Sequence, residues 1–346
     1  MINNLKERPN YIDLAKSLAM FAVILGHFIY VFNVPFSPNT SVTKLSHFVT
    51  LFHMPFFFVV TGLVSSFYVS NFVDFVKKHF KSLFVPYLLF GLVLGGLWTF
   101  MNFVKTGNAV LFAKFILALA SGSDFKGCSL GWASQLWFVY ALFFIKLFIG
   151  FGFTIKQKIF KHLYFGMIFA GGGLTMFSSI NPLPFRIDCI LVGSIFVIIG
   201  YSLKPFMQKI LETKRNAFIS FMISSIIIGL FETFYIDNSI RQCLSINANY
   251  YGQIPLLFLL SGLAGTIMLL SLSYLIFVKK NFILVISNGL IAYLALHKVL
   301  FFVLNRFYYT DTVIGMICTS AIVFILCYPL TVLLSRYTPI LLGYRK

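Results

Sequence analysis

The chain has 346 residues, 59% of them hydrophobic and 10% charged, with a mean hydropathy of +0.92. A water-soluble domain of this composition is excluded, because its outer shell would need more polar surface than these residues supply. A formal charge of +18 would suit nucleic acid, but the 27 Lys and Arg are scattered over short segments. The excess therefore reads as retained inner loops in contact with anionic lipid, and no nucleic-acid partner is expected.

Lys6 and Arg8 precede an apolar run, 14–33, that is longer than a signal-peptide core and is followed by no small-residue cleavage site. It reads as the first transmembrane helix. Nine further runs follow, at 47–69, 83–103, 132–152, 160–178, 184–202, 217–236, 254–278, 282–304 and 312–334. Each approaches the roughly 20 residues that cross a hydrocarbon core of ~30 Å as a helix, and none alternates like a barrel strand. The longest connection, 104–131, contains an apolar stretch from Ala109 to Ala120. That stretch is too short to span and is expected in the interface, before an exposed loop from Ser121 to Gly131.

Placing alternate connections inside, starting with the N-terminus, puts eighteen basic residues inside and eight outside, with Lys146 within a span. That asymmetry supports both the helix count and the orientation. The expectation is an all-α polytopic bundle of about ten transmembrane helices with both termini cytoplasmic, multi-pass in the cytoplasmic membrane. It forms a single domain over 1–346 with no separate soluble domain. The five cysteines have neither C-x-x-C nor Cys/His spacing, so they read as packing residues and no metal site is expected. Cys128 and Cys243 both fall in outer loops, where a disulfide can form.

Ionisable groups inside a bilayer are costly, so each is a functional candidate. Asp13 and Lys16 are three residues apart, on neighbouring positions of one helix face. Lys16 and His27 are eleven apart, which is three turns plus about 20°, so they share a stripe with an axial offset of roughly 16 Å. A lysine closing a span is otherwise a snorkelling residue, and a buried histidine is otherwise a helix–helix hydrogen bond. Depth strengthens the functional reading. Counted at ~1.5 Å per residue, His27 lies about 20 Å from the inner face, and His53 and His297 about 9–10 Å below the outer one. Trp137, Asp188 and Glu232 come out about 6–8 Å below the outer face on the same count. These six are site candidates. His47, His79 and His162 read as ordinary surface residues.

Five segments carry a resemblance. Arg8-Pro-Asn-Tyr-Ile-Asp13-Leu-Ala-Lys16, running on to Leu25-Gly26-His27, resembles the opening of the acyltransferase 3 family. That family shows a basic residue, ten intervening residues and a histidine. Lysine stands here where arginine is more usual, which keeps the charge and forgoes a bidentate phosphate grip. Phe52-His53-Met54-Pro55-Phe56-Phe57-Phe58 with Thr61-Gly62 resembles the second-helix segment, and Leu136-Trp137-Phe138-Val139 a further one. Gly193 to Gly200 and Asn288-Gly289-Leu290 to His297 are similar to later segments.

The resemblance implies a membrane O-acyltransferase that moves an acyl group, acetyl foremost, from cytoplasmic acyl-CoA to a hydroxyl of a cell-surface carbohydrate or its lipid-linked precursor. It implies acetyl-CoA as a co-substrate and no tightly bound cofactor. On this reading Lys16 and Arg8, with Asp13 orienting Lys16, hold the donor phosphates at the inner mouth. His27 is the general base, suited by an unperturbed pKa of ~6.5. His53, Trp137, Asp188, Glu232 and His297 are candidates for acceptor binding or proton relay. A transporter or flippase for a polysaccharide precursor is the alternative; the chain shows no inverted repeat of the kind many transporters carry.

Overall fold

A backbone crossing lipid must close its hydrogen bonds internally, and a helix does so within its own segment. The computed structural model describes residues 10–37, 40–67, 69–122, 124, 127–178, 183–237, 243–277 and 281–343, and these form helices with no strand among them. In order they are α1 (Asn10–Val31), α2 (Ser41–Thr50), α3 (His53–Val64), α4 (Phe72–Thr106), α5 (Val110–Ser121) and α6 (Trp137–Thr154). Then come α7 (Lys158–Ser178), α8 (Ile187–Ser202), the short α9 (Lys204–Ile210) and α10 (Lys214–Asp237). The chain ends with α11 (Pro255–Leu275), α12 (Asn281–Asn288), α13 (Leu290–Leu304) and α14 (Val313–Tyr337).

Among the described residues, eight stretches are long and apolar enough to cross a membrane: α1, α2 with α3, α4, α6 with its leading 3-10 turn, α8, α10, α11 and α14. The pair α12 and α13, bent by 80°, makes a ninth if counted as one span. Helix α7 has the length of a tenth, although Lys161, His162 and the run Gly171-Gly172-Gly173 make it less apolar. The chain is thus an all-α, multi-pass membrane protein. α5 is the expected short apolar helix beside the bundle. α4 begins earlier than the run at 83–103, taking Lys77, Lys78 and Lys81 into the helix, and it widens into π-turns at Phe80–Phe84 and Gly91–Gly95.

Two helix breaks shape the interior. α2 stops at Thr50 and α3 restarts at His53, which leaves Pro55 in the first turn of α3, where its missing N–H costs nothing. The second break is at Gly289. A Cβ there would meet Thr331 Cγ2 at 2.2 Å, so the bare backbone lets α14 approach the α12–α13 corner.

Helix α3 lies at the centre, packed on α8 and α11, while α1 packs on α2, α11, α12, α13 and α14. The α3–α8 crossing is a backbone contact at Gly62 and Gly200, the small-residue device that lets membrane helices approach closely. α10 and α14 are peripheral. Phe218, Ile226 and Leu230 of α10, and Ile314, Ile325 and Leu333 of α14, are exposed as a lipid-facing surface requires.

Two histidines expected at the surface are buried. His47 is fully enclosed and its Nδ1 lies 2.5 Å from Glu232 Oε2, which ties α2 to α10. His79 packs edge-on against Phe75, ring centroids 4.4 Å apart. Both sit near span ends, where sequence depth alone does not say which side faces protein. His162 is exposed, as expected. Cys128 and Cys243 are free thiols.

Candidate active site

Three imidazoles from three helices converge on the side of the bundle that the distribution of basic residues assigns to the outside. The His27 and His53 ring centroids are 6.4 Å apart, and those of His27 and His297 4.9 Å apart. Each ring is anchored the same way. Nδ1 of His27 lies 2.9 Å from the Val23 carbonyl, that of His53 2.8 Å from Val49, and that of His297 2.9 Å from Tyr293. A carbonyl only accepts, so each Nδ1 carries the proton and each Nε2 keeps a lone pair. His297 Nε2 stands 3.3 Å from His27 Nδ1, so the His27 N–H is shared between Val23 and His297. The second acceptor fixes the His27 ring from behind and leaves its own Nε2 as the basic nitrogen.

His27 and His53 line a cavity of about 350 Å³, with Tyr30, Thr50, Met54, Ser134, Gln135, Trp137 and Lys298. Its outer wall is the 243–248 segment, part of a loop closed by the Ser245–Tyr250 bridge. Residues lining the cavity also hold two buried carbonyl oxygens without a hydrogen-bond donor among the described residues, Gln135 Oε1 and Asn247 Oδ1. The Cys243 thiol faces the same space, and burial pushes it up to about 11, which disfavours its thiolate.

A second cavity, of about 220 Å³, lies towards the inner side. Lys16, Met20 and Val23 of α1 line it with Thr61 and Val64 of α3, and Ser287, Asn288 and Leu290 from the α12–α13 break. Met54 and Leu294 belong to the walls of both cavities. The stripe from Lys16 to His27 therefore runs past two chambers in series. A third cavity of about 270 Å³ adjoins the inner one through Val60 and Val64, and is lined by Tyr11, Lys204 and Gln208. There Lys204 Nζ donates to the Ser65 carbonyl at 2.5 Å, and Lys146 Nζ to Ser65 Oγ at 3.3 Å.

The remaining candidates separate. Asp13 is buried and accepts from Ser287 Oγ at 2.5 Å, which places it behind the inner cavity wall. Arg8 lies outside the described residues. Trp137 lines the outer cavity with the Arg186 guanidinium 5.8 Å above its ring. His297 touches His27 but does not itself line the cavity.

Asp188 stands outside the cavity too. It accepts from Asn249 Nδ2 at 2.6 Å and lies 3.9 Å from Arg186 Nη1, while Arg186 Nη2 donates to the Asn247 carbonyl at 2.5 Å. Arg186 reaches that carbonyl from a left-handed backbone, φ 53°, following Phe185 at φ 55°, a conformation that costs non-glycine residues roughly 1–2 kcal/mol. Asp188 and Arg186 thus pin the loop that forms the outer wall. Glu232, paired with His47, stands away from the cavity as well. Lys298 and Gln135 are cavity residues that the sequence reading passed over. The signal for Lys298 was present, a lysine next to His297 within an apolar run, but it entered only as one of the eight basic residues counted on the outer side.

A histidine with a free Nε2 at one end of a stripe and a lysine at the other, on adjoining chambers, is the arrangement an acyl-transfer family would need. The family model described as "Acyltransferase domain" matches residues 10–336. The chain belongs to the acyltransferase 3 family. This membership makes it a membrane-embedded acyltransferase. No curated protein and no solved structure matches the chain.

Proposed function

We propose that this acyltransferase moves an acetyl group from cytoplasmic acetyl-CoA to a hydroxyl of a cell-surface glycan or its lipid-linked precursor. The carrying observation is that the chamber of His27 and the chamber of Lys16 meet at Met54 and Leu294. Such a pair suits a donor with a charged nucleotide at one end and a thin, mostly uncharged arm at the other. Lys16 holds phosphate oxygens in the inner chamber, together with the first turn of α13, whose N-terminal amides favour negative charge. Lys204, in the cavity that adjoins the inner one, and Lys146, which meets it at Ser65, add positive charge nearby, and Asp13 fixes α12 to α1 through Ser287; Arg8, outside the described residues, stays a candidate from the sequence alone. The arm follows the stripe, and the thioester carbonyl arrives at the neck between the chambers.

In the outer chamber the glycan hydroxyl lies against His27 Nε2. The hydroxyl oxygen attacks the carbonyl carbon as Nε2 takes its proton. The tetrahedral intermediate collapses with loss of the CoA thiolate, which receives that proton, and the ester remains on the sugar. A positioned base of this kind contributes about 10²–10⁴-fold. The donor-deficient oxygens of Gln135 and Asn247 support a polyhydroxylated acceptor, since hydroxyls bring the donors these oxygens lack. Trp137 offers an apolar face for the sugar ring, and His53 a second acceptor.

Purified protein in lipid nanodiscs, given radiolabelled acetyl-CoA, tests the scheme. His27→Ala should lower transfer about 10²–10⁴-fold with the protein still folded and inserted. Retained turnover would dismiss His27 as the base. Lys16→Ala should weaken donor binding about tenfold or more, as expected for loss of a charged hydrogen bond. Unchanged affinity for CoA in an isolated binding assay would remove Lys16 from the phosphate site.

A further inference from the structure

Lys298 is the lysine in the wall of the outer cavity, and among the described residues no Asp, Glu or Arg shares that wall. An ammonium held within a membrane protein's span is unfavourable unless something answers its charge. Lys298 Nζ donates to Ser134 Oγ at 2.5 Å and lies 3.4 Å from the Gly131 carbonyl, both on the turn that leads into α6. These neutral acceptors occupy two of its three N–H bonds and give its charge no carboxylate in contact.

The carboxylate whose field reaches Lys298 is Asp124, exposed on the outer loop, and its Oδ1 takes the Leu130 N–H at 2.5 Å. Among the described residues no carboxylate stands within ion-pair distance of Lys298. The acids nearest in depth are engaged elsewhere, Asp188 with Arg186 and Asn249, and Glu232 with His47. Ser134 Oγ accepts from the ammonium, so its own hydroxyl proton stays available. An N⁺–H and an O–H side by side form a two-donor cradle for a pair of anionic oxygens.

We propose that Lys298 and Ser134 form an anion subsite in the outer chamber, so that the substrate presented to His27 carries a carboxylate or phosphate. The proposal rests on the acyl-transfer reading above. The anion has two sources, an acidic acceptor sugar (a uronic acid or a phosphorylated sugar) or a dicarboxylic acyl group such as succinyl. In either case the bonds made and broken are those already described, and Lys298 selects the substrate by charge rather than moving a proton.

Tandem mass spectrometry of envelope glycans decides it, comparing cells with the gene, without it, and complemented by Lys298→Met, Lys298→Arg or His27→Ala. The gene-dependent ester should join acetyl to a sugar bearing a carboxylate or phosphate, or join succinyl to a neutral sugar, and the fragment masses separate these two sources. At equal abundance in the membrane, Lys298→Met should lower that ester about tenfold or more. Lys298→Arg, which keeps the charge, should retain roughly a third or more of it. A gene-dependent ester between a neutral acyl group and a neutral sugar overturns the subsite while leaving acyl transfer intact, and needs no variant to read. Full ester levels in Lys298→Met overturn it as well. If deletion of the gene removes no ester, the acyl-transfer reading itself fails.

Discussion

Replacing Gly62 by alanine tests how the outer chamber depends on the closeness of two helices. A Cβ at Gly62 would stand 2.1 Å from the Val197 carbonyl oxygen and 2.6 Å from the Tyr201 nitrogen of α8. Those are backbone atoms, so no side chain can rotate away. Ordinary contact begins at 3.4 Å, so α3 and α8 must part locally by about 1.3 Å, against the close approach that small residues permit. The reciprocal site is as tight, since a Cβ at Gly200 would meet the Val59 oxygen at 2.2 Å.

Overpacking of this sort costs about 1–3 kcal/mol of stability. The effect on catalysis is larger, because α3 carries His53 and Met54 in the outer chamber and Thr61 and Val64 in the inner one. A misplacement of ~1 Å in a reacting assembly costs about 10²-fold. Gly62→Ala should therefore insert, melt at lower temperature and lose roughly a hundredfold in turnover. Turnover of acetyl-CoA in nanodiscs and a thermal melt of the same sample measure both. Gly166→Ala and Gly173→Ala on α7 are the controls, since a Cβ at either meets nothing within 4 Å. Wild-type turnover and melting in Gly62→Ala would refute the argument that the α3–α8 contact sets the chamber geometry.

Two further substitutions separate holding from reacting. His297→Ala should lower kcat about fivefold with little change in KM, as its Nε2 shares the His27 N–H and one hydrogen bond is worth ~1 kcal/mol. His297→Gln, which restores an acceptor, should recover part of that loss; no recovery in steady-state kinetics would point to packing instead. Asp188→Asn should cost about 3 kcal/mol in a thermal or denaturant melt, because it leaves the buried Arg186 charge without its carboxylate. Faster proteolysis of the 243–251 loop should accompany it, and an unaltered cleavage rate would argue against Asp188 as its anchor.

Much of the bundle was legible because the lipid constraint acts locally: long apolar runs and the basic loops between them report spans without any knowledge of partners. The alignment of Lys16 with His27 was legible for the same reason, being helix periodicity alone. What periodicity does not contain is which neighbour faces each residue. Asp188 and Glu232 looked like site carboxylates by depth, yet each is engaged by a residue from another part of the chain, Asn249 and His47. His297 and Lys298 are adjacent in sequence and divide their roles by direction, one buttressing His27 and the other facing the chamber. Neighbouring helix positions point about 100° apart on any count, but which of the two meets His27 depends on how α13 sits after the 80° bend at Gly289.

The neck at Met54 and Leu294 bears on how an activated group changes sides. Two unbranched or singly branched aliphatic side chains divide the chambers, and rotamer changes are faster than the μs–ms rocking of whole domains. On the function proposed above, an acyl unit would be handed through this neck while its nucleotide carrier and its receiving sugar each stay in their own chamber. Such a machine would need no alternating opening to either side, because side-chain rotation at Met54 and Leu294 would suffice.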